Sequence, residues 1–289
     1  MPTNFERAKS MLDELVPRVD RMIGGSADER VGSRCSELRR AYQGRLLDSA
    51  REPVDYSKPT AQVAYVYRTL PAHADWVFEA LKTVPMTMQQ LLSRGNLKVA
   101  CIGGGPGSDV LGVVKYVENS AYPRTRLNFV VLDREAGWNT PRQALMNTFA
   151  GGRVRESYQH VDLVDAGKWT SSWTFSDADI FTFSFLLSEV WCYNASGAVT
   201  GFLTELINRA KSGALFVYVD NGGNEFTPIV EREIGSNRQL NLVGSQDNER
   251  MRMNYDERRD IVESEYCNRF KGERVKMGGN VSIRVWQKK

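Results

Sequence analysis

The chain reads as an α/β protein built on a parallel sheet, and three observations carry that reading. From Leu97 onward, short apolar β-type runs alternate with helical ones, a pattern that implies parallel strands joined by right-handed crossovers. The first of those runs ends in a glycine cluster, Val99-Ala100-Cys101-Ile102-Gly103-Gly104-Gly105-Pro106-Gly107-Ser108-Asp109, and an amphipathic segment follows it. The residues before about position 95 keep a helical period and show no strand period.

Thr3 and Glu6 have capping-box spacing, and Phe5, Ala8, Leu12, Leu15, Val19, Met22 and Ile23 recur at helical intervals, so the first helix ends at Gly24-Gly25-Ser26. A second helix is expected over 33–47, a two-proline loop over 51–59, and helices over 60–70, 72–84 and 86–94, punctuated by Pro71 and Pro85. Residues 1–95 thus form a helical segment ahead of an α/β unit over 96–289. Strands are expected at 98–102, 127–132, 158–161, 180–185 and 214–219, with helices at 109–118, 140–149, 165–173 and 197–211. Residues 240–243 suit a further strand. The run Val275 to Trp286, with Gly278-Gly279 inside it, suits a terminal hairpin and hence an antiparallel edge.

Composition excludes several classes. With 42% apolar and 25% charged residues, the 289-residue chain is an ordinary globular protein. A formal charge of +3, averaged over 38 basic and 35 acidic residues and with no basic block longer than two, gives no electrostatic footprint for nucleic acid, although arginine pairs such as Arg39-Arg40 leave RNA among the possible partners. Four scattered cysteines form no CxxC pair, and there are only two histidines, so neither a disulfide framework nor a metal centre is expected. No run is apolar enough for a signal peptide or a membrane span, which makes the cytoplasm the expected compartment, with the nucleus as the alternative.

Glycines after a buried strand let the backbone turn and approach a ligand closely. A dinucleotide-binding G-x-G-x-x-G would place Ser108 at its third glycine. The glycines instead read G-x-G-x-G, and this resembles the first motif of class I S-adenosylmethionine-dependent methyltransferases. Four further stretches resemble that family in order: Phe129-Val130-Val131-Leu132-Asp133, Gln159-His160-Val161-Asp162-Leu163, Asp177 through Trp191, and Lys211 through Asp220. The resemblance covers about 97–220. It implies a Rossmann-like three-layer sandwich with a mostly parallel seven-stranded sheet and an antiparallel C-terminal edge strand.

It also implies a cofactor site. Gly103, Gly104, Gly105 and Gly107 would underlie the methionine and ribose portions of S-adenosylmethionine. Asp133, with Arg134 beside it, would take both ribose hydroxyls, a role that would equally suit NAD; the alternative is a solvated loop acid. Asp162 and Leu163 would meet the adenine, or Asp162 would simply cap the next helix. Ser184 and Phe185, at the end of the fourth strand, would flank the transferable methyl. One departure stands out: many members carry an acid two residues before the first glycine, and Cys101 stands there instead. Asp109, or a residue of the helical N-terminal segment, is then a candidate to hold the cofactor's ammonium or carboxylate.

No catalytic set is legible, since methyl transfer from a sulfonium depends on placement and at most one general base. Glu189 and Ser184 are the candidates, Glu189 being otherwise a solvated first-turn acid. Tyr65, Tyr67, Arg68, Trp191 and Tyr193 are candidate acceptor contacts, with core packing as the alternative for the aromatics, and His73 reads as structural. No Asn-Pro-Pro-Tyr-type or Pro-Cys motif follows the fourth strand, which speaks against adenine-N6 and cytosine-C5 nucleic-acid methylation. The expected function is methylation of an acceptor not identified by sequence, a small molecule ahead of RNA or protein. A non-catalytic sensor or assembly factor that binds the same cofactor, and an NAD- or FAD-dependent oxidoreductase, are the competing readings.

Overall fold

The computed structural model describes residues 2–43, 54–169, 173–222, 225–253 and 257–289. The chain opens with five helices: α1 (Asn4–Ile23), α2 (Asp28–Gln43), α3 (Pro59–Arg68), α4 (Leu70–Lys82) and α5 (Pro85–Leu92). The capping box closes as the spacing requires. Thr3 Oγ1 accepts from the Glu6 N–H at 3.2 Å, and the Glu6 carboxylate accepts from the Thr3 N–H at 2.7 Å. Pro59, Pro71 and Pro85 lie within the first turns of α3, α4 and α5, where a missing N–H costs nothing; the prolines start helices instead of separating them. The second helix begins five residues before its expected start, and the expected residues 44–47, like 51–53 of the loop, lie outside the described residues.

The remaining elements are β1 (Asn96–Ile102), α6 (Ser108–Glu118), β2 (Arg126–Asp133), α7 (Asn139–Asn147), β3 (Val154–His160), β4 (Ile180–Ser184), α8 (Leu187–Val190), α9 (Ala198–Arg209), β5 (Leu215–Asn221), α10 (Phe226–Val230), β6 (Leu240–Arg252), α11 (Asp260–Arg269) and β7 (Gly278–Lys288). Seven strands form one Rossmann-like sheet in the order β3-β2-β1-β4-β5-β7-β6. The first five strands pair in parallel, and β7 runs antiparallel to both β5 and β6. The order reverses between β1 and β4, which opens a crevice beyond their C-terminal ends.

Three expectations are corrected. The final run is a single strand, since Gly278 and Gly279 continue the pairing with β6 and make no turn. A Cβ on Gly279 would stand 3.2 Å from the Trp76 ring, so the glycine admits a close approach. The antiparallel strand therefore lies between β5 and β6, and β6 forms the rim. The helix expected over 165–173 reduces to a 3-10 turn, Ala166–Lys168, held by Asp165 accepting from the Gly167 N–H at 3.0 Å, with 170–172 outside the described residues. The helices α8, α10 and α11 had no sequence counterpart.

Alternation along the strands divides the core into two faces. Val99, Cys101 and Val131 join α1 and α3–α6 in one buried cluster, while Ala100, Ile102, Phe181 and Phe183 join Phe202 and Leu206 of α9 in the other. The helical N-terminal residues thus share a core with one face of the sheet. Gly112 of α6 makes that packing close, because a Cβ there would lie 2.5 Å from the Ala74 carbonyl oxygen of α4.

Candidate cofactor and acceptor site

A cavity of about 340 Å³ lies in the crevice at the C-terminal ends of β1, β2 and β4, a size suited to a small organic ligand. Gly103, Gly105 and Gly107 all have positive φ, at 67°, 48° and 102°, so the loop zigzags through the left-handed region that a side chain disfavours. Gly103 donates to the Leu132 carbonyl at 2.7 Å, tying the loop to β2. Gly105 faces the cavity: a Cβ there would find only the Trp138 ring, at 3.7 Å. Gly107, by contrast, leaves the cavity wall and packs against Leu145.

Asp133 ends β2 and bridges the loop to the next turn. Its Oδ2 accepts from the Gly105 N–H at 3.0 Å and its Oδ1 from the Glu135 N–H at 2.8 Å. Burial raises its pKa, and those two backbone donors, with Arg134, pull the other way. Each carboxylate oxygen has a second lone pair for a ligand.

Asp109 sits in the first turn of α6 and is 1% exposed. Among the described residues its Oδ1 has no hydrogen-bond partner, nor have the hydroxyl oxygens of Ser108, Thr182 and Ser184 around it. Burial pushes the Asp109 carboxyl up to about 8, opposed by the nearby Thr182 and Ser184 hydroxyls. Cys101 lies behind, fully buried, its thiol also pushed up by burial and then by Asp109.

Arg134, Asp162, Leu163, Ser184, Phe185, Glu189 and Tyr193 line the same cavity, as does Tyr65 of α3. Asp162 turns one oxygen back to the Val164 N–H at 3.2 Å, so it also serves its own turn. Glu189 on α8 is no solvated acid. The Tyr42 hydroxyl donates to it, and that hydroxyl also stands 2.8 Å from Tyr56 OH.

Tyr67, Arg68 and Trp191 do not reach the cavity. Tyr67 leaves the side of α3 opposite Tyr65, while Arg68, a turn beyond Tyr65, is drawn off by the chain before β7: Tyr67 OH donates to the Glu273 carbonyl at 2.6 Å and Arg68 to the Arg274 carbonyl at 2.6 Å. Trp191 packs beside Phe226 and Ile229, with Arg232 over its ring. Tyr65 and Tyr193 face the cavity, and a shift of two residues on a helix turns Tyr67 and Trp191 away; Arg68 is held away by its own bonds instead.

Tyr56, on the wall, was missed as a site residue; Trp138, also on the wall, reads from sequence as packing a helix on the sheet, with an adenine contact as the alternative. Trp138 follows the second strand closely enough for that contact, whereas Tyr56 lay in a loop with no periodic signal. Among the described residues no group of three or more His, Cys, Asp or Glu side chains is placed to hold a metal ion, and no helix is long and apolar enough to cross a membrane.

No family model and no curated protein matches the chain. Solved structures similar to it include TrmN from Thermus thermophilus, at 13% identity over 78% of this chain and 53% of that one, with a TM-score of 0.39. This chain therefore spans about half of TrmN's length. The N-methyltransferase NodS from Bradyrhizobium japonicum WM9 is 12% identical over 73% of this chain and 96% of its own, with a TM-score of 0.37. A protein of echinomycin biosynthesis, where a disulfide bond is converted into a thioacetal group, is 12% identical over 87% and 92%, with a TM-score of 0.43.

Proposed function

We propose that the chain is an S-adenosylmethionine-dependent methyltransferase whose residues 96–289 hold the cofactor and whose helical residues 1–95 cover the acceptor side. The observation that carries this reading is Asp109, a buried carboxyl with an unpartnered oxygen at the cavity end of the glycine loop. A ligand ammonium would complete it, and Asp109 would then do what the missing acid at Cys101 does elsewhere in the family. The bound cofactor would supply a methyl group on a positively charged sulfur.

The residues present fit that group. Asp133 offers its remaining lone pairs to a ribose diol, and Gly105 leaves the space such a ligand needs against Trp138. Leu163 and Asp162 offer an apolar contact and an acceptor at the end of β3 for an adenine and its amino group. Val54, Tyr56 and Tyr65 close the acceptor side, and an enclosure of aromatic groups favours a small-molecule acceptor. These walls orient the acceptor and exclude water, which is the main demand of an in-line displacement.

The test is calorimetric titration with S-adenosylhomocysteine and separately with NAD, followed by transfer of labelled methyl from S-adenosylmethionine to fractionated extract. Binding of S-adenosylhomocysteine alone, and one labelled fraction, are expected. Binding of NAD in its place would overturn the reading in favour of an oxidoreductase, and binding without any transfer would favour a sensor.

A further inference from the structure

A hydrogen-bonded line leaves the cavity through its wall. Tyr65 OH stands 2.9 Å from His73 Nδ1 on α4, and His73 Nε2 stands 3.3 Å from Lys276 Nζ in the segment before β7. Of the three, Tyr65 alone lines the cavity. His73 is fully buried and stacks on Phe185, 3.6 Å between centroids and 9° between planes. Phe185 holds a φ of 54°, a conformation that costs an aromatic residue energy and collects at functional sites. Here it fixes the imidazole plane.

Lys276 ends the line inside a ring of aromatics. Its Nζ is 4.6 Å from the Trp76 ring centroid, 5.0 Å from Phe185 and 5.7 Å from Tyr42. No carboxylate among the described residues pairs with it; Asp220 attracts it from farther off, and Arg68 repels it. The groups facing this line are thus Glu189 from α8, Asp109 from α6 and Asp133 from β2 at the Tyr65 end, and Tyr42 from α2, Arg68 from α3 and Asp220 from β5 around the rest. The rings stabilise the ammonium through their faces, while burial and Arg68 favour the neutral amine, so both forms are within reach at neutral pH.

We propose that Tyr65, His73 and Lys276 form the proton exit of the cavity, and that the acceptor therefore carries an O–H or N–H on the atom to be methylated. This rests on the methyltransferase reading. The acceptor–methyl bond forms as the methyl–sulfur bond breaks, the electron pair staying on sulfur. The acceptor proton moves to the Tyr65 oxygen, the Tyr65 proton to His73 Nδ1, and the His73 Nε2 proton to the neutral Lys276 amine. Tyr65 and His73 end neutral, with the other histidine tautomer, and Lys276 ends as ammonium. A thioether or tertiary amine has no proton for this line and falls outside the class.

The two charge states of Lys276 demand opposite tautomers. The ammonium donates to Nε2, leaving the proton on Nδ1 and the Tyr65 hydroxyl pointing at the cavity. The neutral amine accepts from Nε2–H, so Nδ1 accepts from Tyr65 and the phenol oxygen offers the cavity lone pairs. Burial and Lys276 hold His73 well below its usual pKa, so it stays neutral in both states.

The test is long-range ¹H–¹⁵N correlation spectroscopy of the unliganded full chain across neutral pH, with His160→Gln to leave one histidine signal. The expected result is an Nδ1–H to Nε2–H switch with a midpoint at about 7, where Lys276 titrates. The switch should vanish in Lys276→Met, or in Lys276→Gln if the first variant does not fold. One unchanging tautomer in the parent chain, or an unaltered switch in the Lys276 variants, overturns the relay. S-adenosylhomocysteine titration of the same sample separates the two ideas. A fixed tautomer with binding intact sinks the relay alone, whereas a switch without binding sinks the methyltransferase reading and the acceptor class with it.

Discussion

At the N-terminal end of β4, buried Asp179 is met by the Lys98 N–H at 2.9 Å, by Lys211 at 2.7 Å and by Arg94 at 3.5 Å. At the C-terminal end, Asp109 is buried as deeply and, among the described residues, meets no cation and keeps an oxygen without a partner. The two acids lie at opposite ends of one sheet, both in a low-dielectric surrounding, so burial is not what distinguishes them. An unsatisfied buried polar group costs roughly 1–3 kcal/mol, and four of the eight such side-chain atoms among the described residues gather around Asp109. One end of the sheet is finished by its own chain. The other keeps its unpartnered polar groups beside the cavity.

The largest effect should come from Asp109→Asn. Removing one partner of a desolvated charge pair costs roughly 2–5 kcal/mol, so S-adenosylhomocysteine affinity should fall by about thirtyfold or more. The sign of the pH dependence follows from the raised pKa. In the unfolded chain the carboxyl titrates near 3.8 and in the folded one at about 8. Its contribution to stability is complete below the first value and lost as pH rises through the second. Asp109→Asn should therefore raise the unliganded melting temperature above pH 8 while weakening binding. In the parent chain, binding an ammonium requires the carboxylate, so affinity should strengthen by about tenfold for each unit that the pH rises toward 8. Calorimetry in buffers of differing ionisation enthalpy checks this through proton release, and binding without proton release at neutral pH would put the ammonium elsewhere.

Asp133→Ala should come next, with S-adenosylhomocysteine affinity reduced by about tenfold, since charge-assisted hydrogen bonds are worth roughly 1.5–3 kcal/mol each before water compensates. Unlike Asp109→Asn, it should also lower the unliganded melting temperature, because the Gly105 and Glu135 N–H groups lose their acceptor. A melting temperature that does not move would show that the loop holds its shape without this bridge. Unchanged binding by a folded variant would remove the ribose assignment.

These two acids mark how far sequence reasoning reached. The glycine loop, the apolar strands and the acid ending β2 are local signals, each set by a few adjacent residues, and the structure brings them to one crevice. Asp133's second task, pinning the loop, depends on β1 and β2 lying side by side and has no local trace. The same holds for Tyr42, Tyr56 and Glu189, which meet from three separate stretches of chain. The turn at 166–168 defeated the helical reading because Asp165 bonds its own backbone in competition with a helix. The final strand defeated the hairpin reading because Gly278-Gly279 serves close packing on Trp76 as readily as it serves a turn. Tyr67 and Arg68 show the residual limit. Their segment does reach the cavity through Tyr65; the period of the helix turns Tyr67 away, and long-range bonds to Glu273 and Arg274 draw Arg68 off.

The smallest effect on binding should come from Asp179→Ala, and that is its use. The Lys98 N–H would lose its acceptor inside the sheet, a loss of roughly 1–3 kcal/mol. Lys211 and Arg94 are 41% and 59% exposed, so they would turn to water and their ion pairs should add little. At about 2–4 °C per kcal/mol for a chain of this size, the melting temperature should fall by several degrees. S-adenosylhomocysteine affinity should stay within about twofold, because the altered contacts lie at the far end of β4 and share no partner with the ligand's. Melting curves and titrations on the same preparation read both quantities. If affinity fell in step with stability, the unsatisfied acid at one end and the satisfied one at the other would belong to a single coupled unit. The contrast between them would then reflect strand order rather than a division between holding the fold and holding a ligand.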